Sequence, residues 1–156
     1  MASNAQITLG GPTAARLGEL VNVNLDSAEV FEDAAKSVSD ARLSRVFQDL
    51  ATQRREFAAY LRGIVGNEEA PEPGTIAGQL REIWLDVRKA LSGGEPHAML
   101  CEIERSESRI EALYEAALDE TAGSPIHEHV VRQHALVRRA HDRIGDLRDG
   151  WKSKGG

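Results

Sequence analysis

SDARLSRVFQDLATQRREFAAYLRGIVG, residues 39–66, is the stretch whose reading decides the fold. Leu43, Val46, Phe47, Leu50, Phe57, Leu61 and Ile64 recur three and four apart, which puts them on one face of an α-helix. Ser39 and Asp40 form a short turn that can cap this helix, and Gly66 with Asn67 stops it after Val65. Arg54 stands in the middle of the apolar stripe. A buried guanidinium costs free energy unless it is paired, so its position predicts a partner on another helix.

The same pattern extends in both directions. Upstream, Thr13 is the expected N-cap of a helix reaching Val38, with Leu17, Leu20, Val21, Asn24, Ala28, Phe31 and Ala35 on its stripe. Downstream, the acidic, proline-containing segment 67–74, NEEAPEPG, predicts a loop. A shorter helix follows from Thr75, with Leu80, Ile83, Trp84 and Val87 on one side, and ends at Ser92–Gly94. A third long helix runs from Glu95–Pro96 to Gly123 on Leu100, Ile103, Glu107, Ile110, Tyr114 and Leu118. Ser124–Pro125 opens a fourth, which carries Ile126, Val130, Gln133, Val137, Ala140 and Ile144 to about Gly150. Residues 1–12 are expected to form a mobile N-terminal arm, 13–150 a single helical-bundle domain, and 151–156 a C-terminal tail. The first two long helices are joined by two or three residues, as are the last two, which predicts two antiparallel hairpins. Nearly thirty residues separate the hairpins. The expected fold is therefore all-α: a ferritin-like four-helix bundle with a long helical crossover between helices two and three.

Each long helix places one strongly polar residue near the middle of its stripe: Asn24, Arg54, Glu107 and Gln133. At about 1.5 Å of rise per residue, all four fall within roughly two turns of one level. The expectation is a satisfied polar core layer, with Arg54 and Glu107 as a buried ion pair and the two amides completing its hydrogen bonds.

The chain has 156 residues, 41% of them hydrophobic and 28% charged, which fits one globular domain with a substantial core. A net charge of −6 speaks against a general phosphate-binding surface, so no nucleic acid is expected as partner. Cys101 is the only cysteine, which excludes an intramolecular disulfide and a thiolate zinc cluster. The N-terminus lacks the pattern of a signal peptide, and the longest apolar run, Phe57 to Leu61, is far short of a membrane span. No membrane association and a cytoplasmic location are the expectations.

The sequence resembles a family of small bacterial ferritin-like four-helix-bundle proteins of uncharacterised function. The resemblance rests on Asn24, Asp26 and Phe31 in the first helix and on Gln53–Arg54 with Phe57 in the second. It continues through Leu80, Arg81, Trp84 and Gly93–Gly94 in the crossover, and through Glu104–Arg105, Glu107 and Tyr114 in the third helix. Gln133, Ala140–His141–Asp142 and Leu147–Arg148–Asp149 carry it along the last. Ser27 and Val30 depart from the pattern, since glycines are expected there. The resemblance implies a fold more than an activity.

A ferritin-type di-iron centre uses two Glu-x-x-His motifs, which aim a carboxylate and an imidazole from one helix face at a metal pair. Three residues before His97, His127, His129, His134 and His141 stand Gly94, Ser124, Ile126, Val131 and Arg138, so the motif does not occur. No standard ferroxidase centre and no catalytic residues are expected. A weaker metal alternative remains: Glu104, Glu107 and His141 as ligands of a transition metal ion, with Glu104 and His141 each about eighteen residues from the last interhelical turn. The plainer reading of these residues is a carboxylate–imidazole hydrogen bond beside the Glu107–Arg54 pair. His127-Glu128-His129 is expected to be a solvated capping turn, and Cys101 a core-edge residue with no base beside it. The leading expectation is a non-catalytic bundle that acts as a homo-oligomer or on a protein partner, without cofactor. The alternative is a metal-binding or redox bundle.

Overall fold

The computed structural model describes residues 10–66 and 75–155. Residues 1–9 of the expected arm and the expected loop 67–74 lie outside the described residues. Five helices account for nearly all of the rest: α1 Gly11–Ser37, α2 Ala41–Val65, α3 Thr75–Gly93, α4 Pro96–Thr121 and α5 His127–Gly155. There is no strand among the described residues.

Local chemistry sets the boundaries. The Asp40 carboxylate accepts from the Leu43 backbone N–H, and the Glu95 carboxylate accepts from those of His97 and Ala98, so α2 and α4 begin at side-chain caps. Gly66 and Gly94, at positive φ, end α2 and the crossover helix α3. Thr13 is not the cap of α1. That helix starts at Gly11 on the backbone of Gly10, with proline in its first turn, where the missing N–H has no intrahelical acceptor to lose. The Thr13 hydroxyl instead donates to the Glu120 carbonyl of α4. Ser124–Pro125 lies in a turn before α5 rather than in its first turn. At the far end α5 passes Gly150 and continues to Gly155, with Trp151 partly buried against the core.

Paired residues give the helix directions. Ala35 meets Ser44 near the turn and Ser27 meets Arg54 farther away, so α1 and α2 are antiparallel. Thr121 with His127, Tyr114 with Gln133 and Glu104 with Arg148 make α4 and α5 antiparallel. Thr13 with Glu120 and Asn24 with Tyr114 make α1 and α4 antiparallel as well. Hence α2 and α4 point the same way. Between them α3 folds back on α4, and Arg105 reaches Asp86 across that pair. Arg88 of α3 reaches Asp33 of α1. Leu80, Ile83, Val87 and Leu91 give α3 a buried face, while Trp84 is only partly buried beside them.

The core draws on all five helices. The seam between α2 and α5 is closed at one end, where the Tyr60 and His129 rings lie 4.3 Å apart. At the other end it opens into a groove of about 580 Å³ between the start of α2 and the end of α5.

Candidate functional site

Asn24, Arg54, Glu107 and Gln133 are all buried, the first three completely. The α2 stripe carries Arg54 inward, and the α4 stripe carries Glu107 to meet it. Arg54 Nη1 and Nη2 donate to the two carboxylate oxygens of Glu107 at 2.9 and 2.5 Å. This two-pronged contact matches the planar guanidinium to the planar carboxylate and is the strong form of such a pair. Nη1 also donates to the Ser27 hydroxyl at 3.1 Å, and Nε to Gln53 Oε1 at 3.3 Å. The Phe31 ring lies under the guanidinium, 5.5 Å from its central carbon. With neither side chain exposed, both ionised groups depend on each other and on these neighbours.

The two amides do not complete this pair. They meet at Tyr114. Asn24 Nδ2 donates to the Tyr114 hydroxyl and to the Leu20 carbonyl, both at 2.8 Å, and the Tyr114 hydroxyl donates to Gln133 Oε1 at 2.7 Å. Burial holds the Tyr114 phenol well above its ordinary pKa, against the opposing influence of the Asn24 bond and the Arg54 charge. It is thus a neutral donor. Tyr114 follows Glu107 by two helical turns, so the polar interior has two storeys: Ser27–Arg54–Glu107 and Asn24–Tyr114–Gln133. Asn24 Oδ1 is buried with no hydrogen-bond partner.

Glu104, Glu107 and His141 are not brought together. His141 Nε2 lies 3.6 Å from Glu104 Oε2, but Glu107 is turned into the bundle and onto Arg54. His141 belongs to a ladder on the α4–α5 seam. Its Nδ1 is 3.1 Å from Glu111 Oε1, and its Nε2 is 3.1 Å from the Ser108 hydroxyl. Arg148 pairs with Glu104 at the next rung. Gly145 makes room there, since a Cβ on it would lie 3.0 Å from Glu104 Oε2.

The residues of His127-Glu128-His129 are less solvated than a free capping turn. His127 Nδ1 is 3.0 Å from the Thr121 hydroxyl, and His129 packs on Tyr60. Burial and the Arg132 charge lower the His129 pKa, with Glu128 opposing. Cys101 also has a neighbour: its Sγ is 3.9 Å from the His97 ring nitrogens, one helical turn earlier. The i, i+4 spacing of His97 and Cys101 carried that contact in the sequence.

Residues 13–120 match the model of a family described as a domain of unknown function (DUF2383). The chain belongs to this family. The matched segment holds Asn24, Arg54, Glu107 and Tyr114, and leaves Gln133, His134 and His141 of α5 beyond its end. No curated protein and no solved structure gives a significant match. Among the described residues, no helix is long and apolar enough to cross a membrane.

Three residues beyond the four expected ones contribute to the polar interior: Tyr114, Ser27 and Gln53. Tyr114 reads as apolar on a helical wheel. Ser27 follows Asn24 by three positions, the spacing at which a second polar residue shares its face.

Proposed function

We propose that the protein is a non-catalytic ferritin-like bundle that acts by pairing with a second copy of its own chain through the α2–α5 groove. The helix directions support the ferritin-like part: two antiparallel hairpins, a long crossover, and α2 parallel to α4. The observation that carries the loss of catalysis is the Arg54–Glu107 pair. Ferritin-like metal proteins project carboxylates and imidazoles into the bundle interior. Here a guanidinium occupies that interior and takes both oxygens of the buried glutamate.

The groove supports the self-association. Its walls include Leu147 and Trp151, and its rim carries both charge signs, Arg45 and Arg143 with Asp49 and Asp146. A surface with both signs can complement its own copy about a two-fold axis, where each contact occurs twice. Leu147 and Trp151 are partly buried, and covering their remaining exposed area supplies apolar burial to such a contact.

Size-exclusion chromatography with light scattering tests this. The wild-type chain is expected to run at twice its 17.0 kDa mass at micromolar concentration. Arg143→Glu, which puts an extra negative charge on the rim, is expected to shift it to the monomer. A wild-type chain that stays monomeric across the concentration range overturns the reading.

A further inference from the structure

We propose that Glu111 and Glu115 of α4 and His134 of α5 form a site for a divalent transition-metal ion on the α4–α5 seam. The site lies outside the Arg54–Glu107 interior and does not depend on the pairing of two chains. One ligand atom from each of the three residues lies within 4.8 Å of the other two. Metal bonds of about 2.1 Å put tetrahedral neighbours roughly 3.4 Å apart, so closure takes about 1 Å of movement from two carboxylates on flexible stems. The helices need not move. Glu111 and Glu115 are one turn apart on α4, and the antiparallel register of the hairpin brings His134 opposite them.

The state of His134 points to a ligand. Its Nε2 is buried, yet it has no hydrogen-bond partner. The nearest carboxylate oxygen, Glu115 Oε2, is 3.9 Å away, beyond hydrogen-bonding distance. An imidazole nitrogen enclosed by protein and facing carboxylates without bonding them leaves a lone pair or a proton unsatisfied. A cation placed between the three groups satisfies the nitrogen and both carboxylates at once.

The donor set selects the class of ion. Two carboxylates and one imidazole suit zinc, manganese, iron(II) or cobalt(II), whereas an imidazole is a poor ligand for calcium or magnesium. Three protein ligands leave a coordination position for water. The way in is on the Glu115 side, where that side chain is 61% exposed while those of Glu111 and His134 are 20% and 14% exposed. Behind the ligands, His141 Nδ1 lies 3.1 Å from Glu111 Oε1 and orients that carboxylate, as an outer-shell partner does. One group opposes the ion: Arg138 Nε is 3.7 Å from Glu111 Oε2. Arg138 is largely exposed, so it can swing into solvent when a cation takes its place.

The plain rival is an ion-pair ladder with no metal, and calorimetry on the chelator-treated full chain separates the two. Zn²⁺ is expected to bind at one saturable site per chain, and Co²⁺ in its place to show visible d–d absorption. Glu115→Gln, which keeps the side-chain shape, and His134→Ala are each expected to weaken Zn²⁺ at least tenfold. Arg138→Ala is expected to tighten it. His127→Ala combined with His129→Ala is expected to leave it unchanged, which separates this site from the histidine pair at the start of α5. Absence of saturable Zn²⁺ binding by the wild type, or binding that survives Glu115→Gln and His134→Ala unweakened, overturns the proposal.

Discussion

Removing one member of the Arg54–Glu107 pair strands the other charge among Phe31 and the apolar stripes of α2 and α4. Arg54→Met or Glu107→Leu alone is expected to cost about 3–5 kcal/mol, because an unpaired ion stays buried. The double variant is expected to cost much less than the sum, since both desolvation penalties vanish together. A urea-denaturation cycle measures this, and simply additive losses would show that the pair is not coupled. The positions of this pair were legible in the sequence. Each polar residue interrupts a stripe that hydrophobic patterning would fill with Leu or Ile, and each is buried. How the four residues sort into partners was not legible. Height along the bundle placed them within two turns, but a hydrogen bond is decided over a few tenths of an ångström. The phenol that gathers Asn24 and Gln133 stands on the apolar stripe of α4, where a helical wheel does not separate its hydroxyl from its ring.

At the scale of the elements, the α2–α5 seam depends on a titratable contact. His129 packs on Tyr60, and burial together with Arg132 lowers its pKa. The unfolded chain then binds a proton at His129 at a higher pH than the folded chain does. The stability held by the neutral ring is full above the ordinary histidine value of about 6.5 and is lost as pH falls through and below it. His129→Gln is expected to flatten this part of the curve, so the wild type should lose more stability than the variant between neutral and mildly acid pH. Chemical denaturation at a series of pH values measures the difference, and parallel curves for the two proteins would exclude the contact as a source of acid sensitivity. Element boundaries were legible where a side chain makes the cap, as at Asp40 and Glu95, and less so where the backbone alone does. Gly10 offers no side-chain capping atom, so an N-cap at Thr13 places the start of α1 three residues too late. Gly150 suggested a stop for α5, but the packing of Trp151 outweighs the propensity cost of one glycine, about 1 kcal/mol.

At the scale of the whole molecule, connection lengths made the two hairpins and the crossover helix legible, because short links force neighbours and long links release them. The α2–α5 groove was not legible, since it arises where two helices distant in sequence diverge. The interior these helices enclose bears on iron. A ferroxidase centre must hold two cations a few ångströms apart and hand electrons from them to oxygen. The chain has no Glu-x-x-His motif. The carboxylate best placed at the centre, Glu107, already spends both oxygens on Arg54. An ion entering the bundle would have to displace a guanidinium that is itself fully enclosed. A metal on the Glu111–Glu115–His134 seam would be a single ion with a hydrated outer side, which lacks the second metal of a di-iron reaction. Aerobic addition of ferrous iron is therefore expected to give oxidation no faster than in buffer, followed by absorbance in the near ultraviolet. A saturable burst near two irons per chain would mean that Arg54 leaves Glu107 on contact with iron, and the interior would then have to be regarded as a latent metal centre.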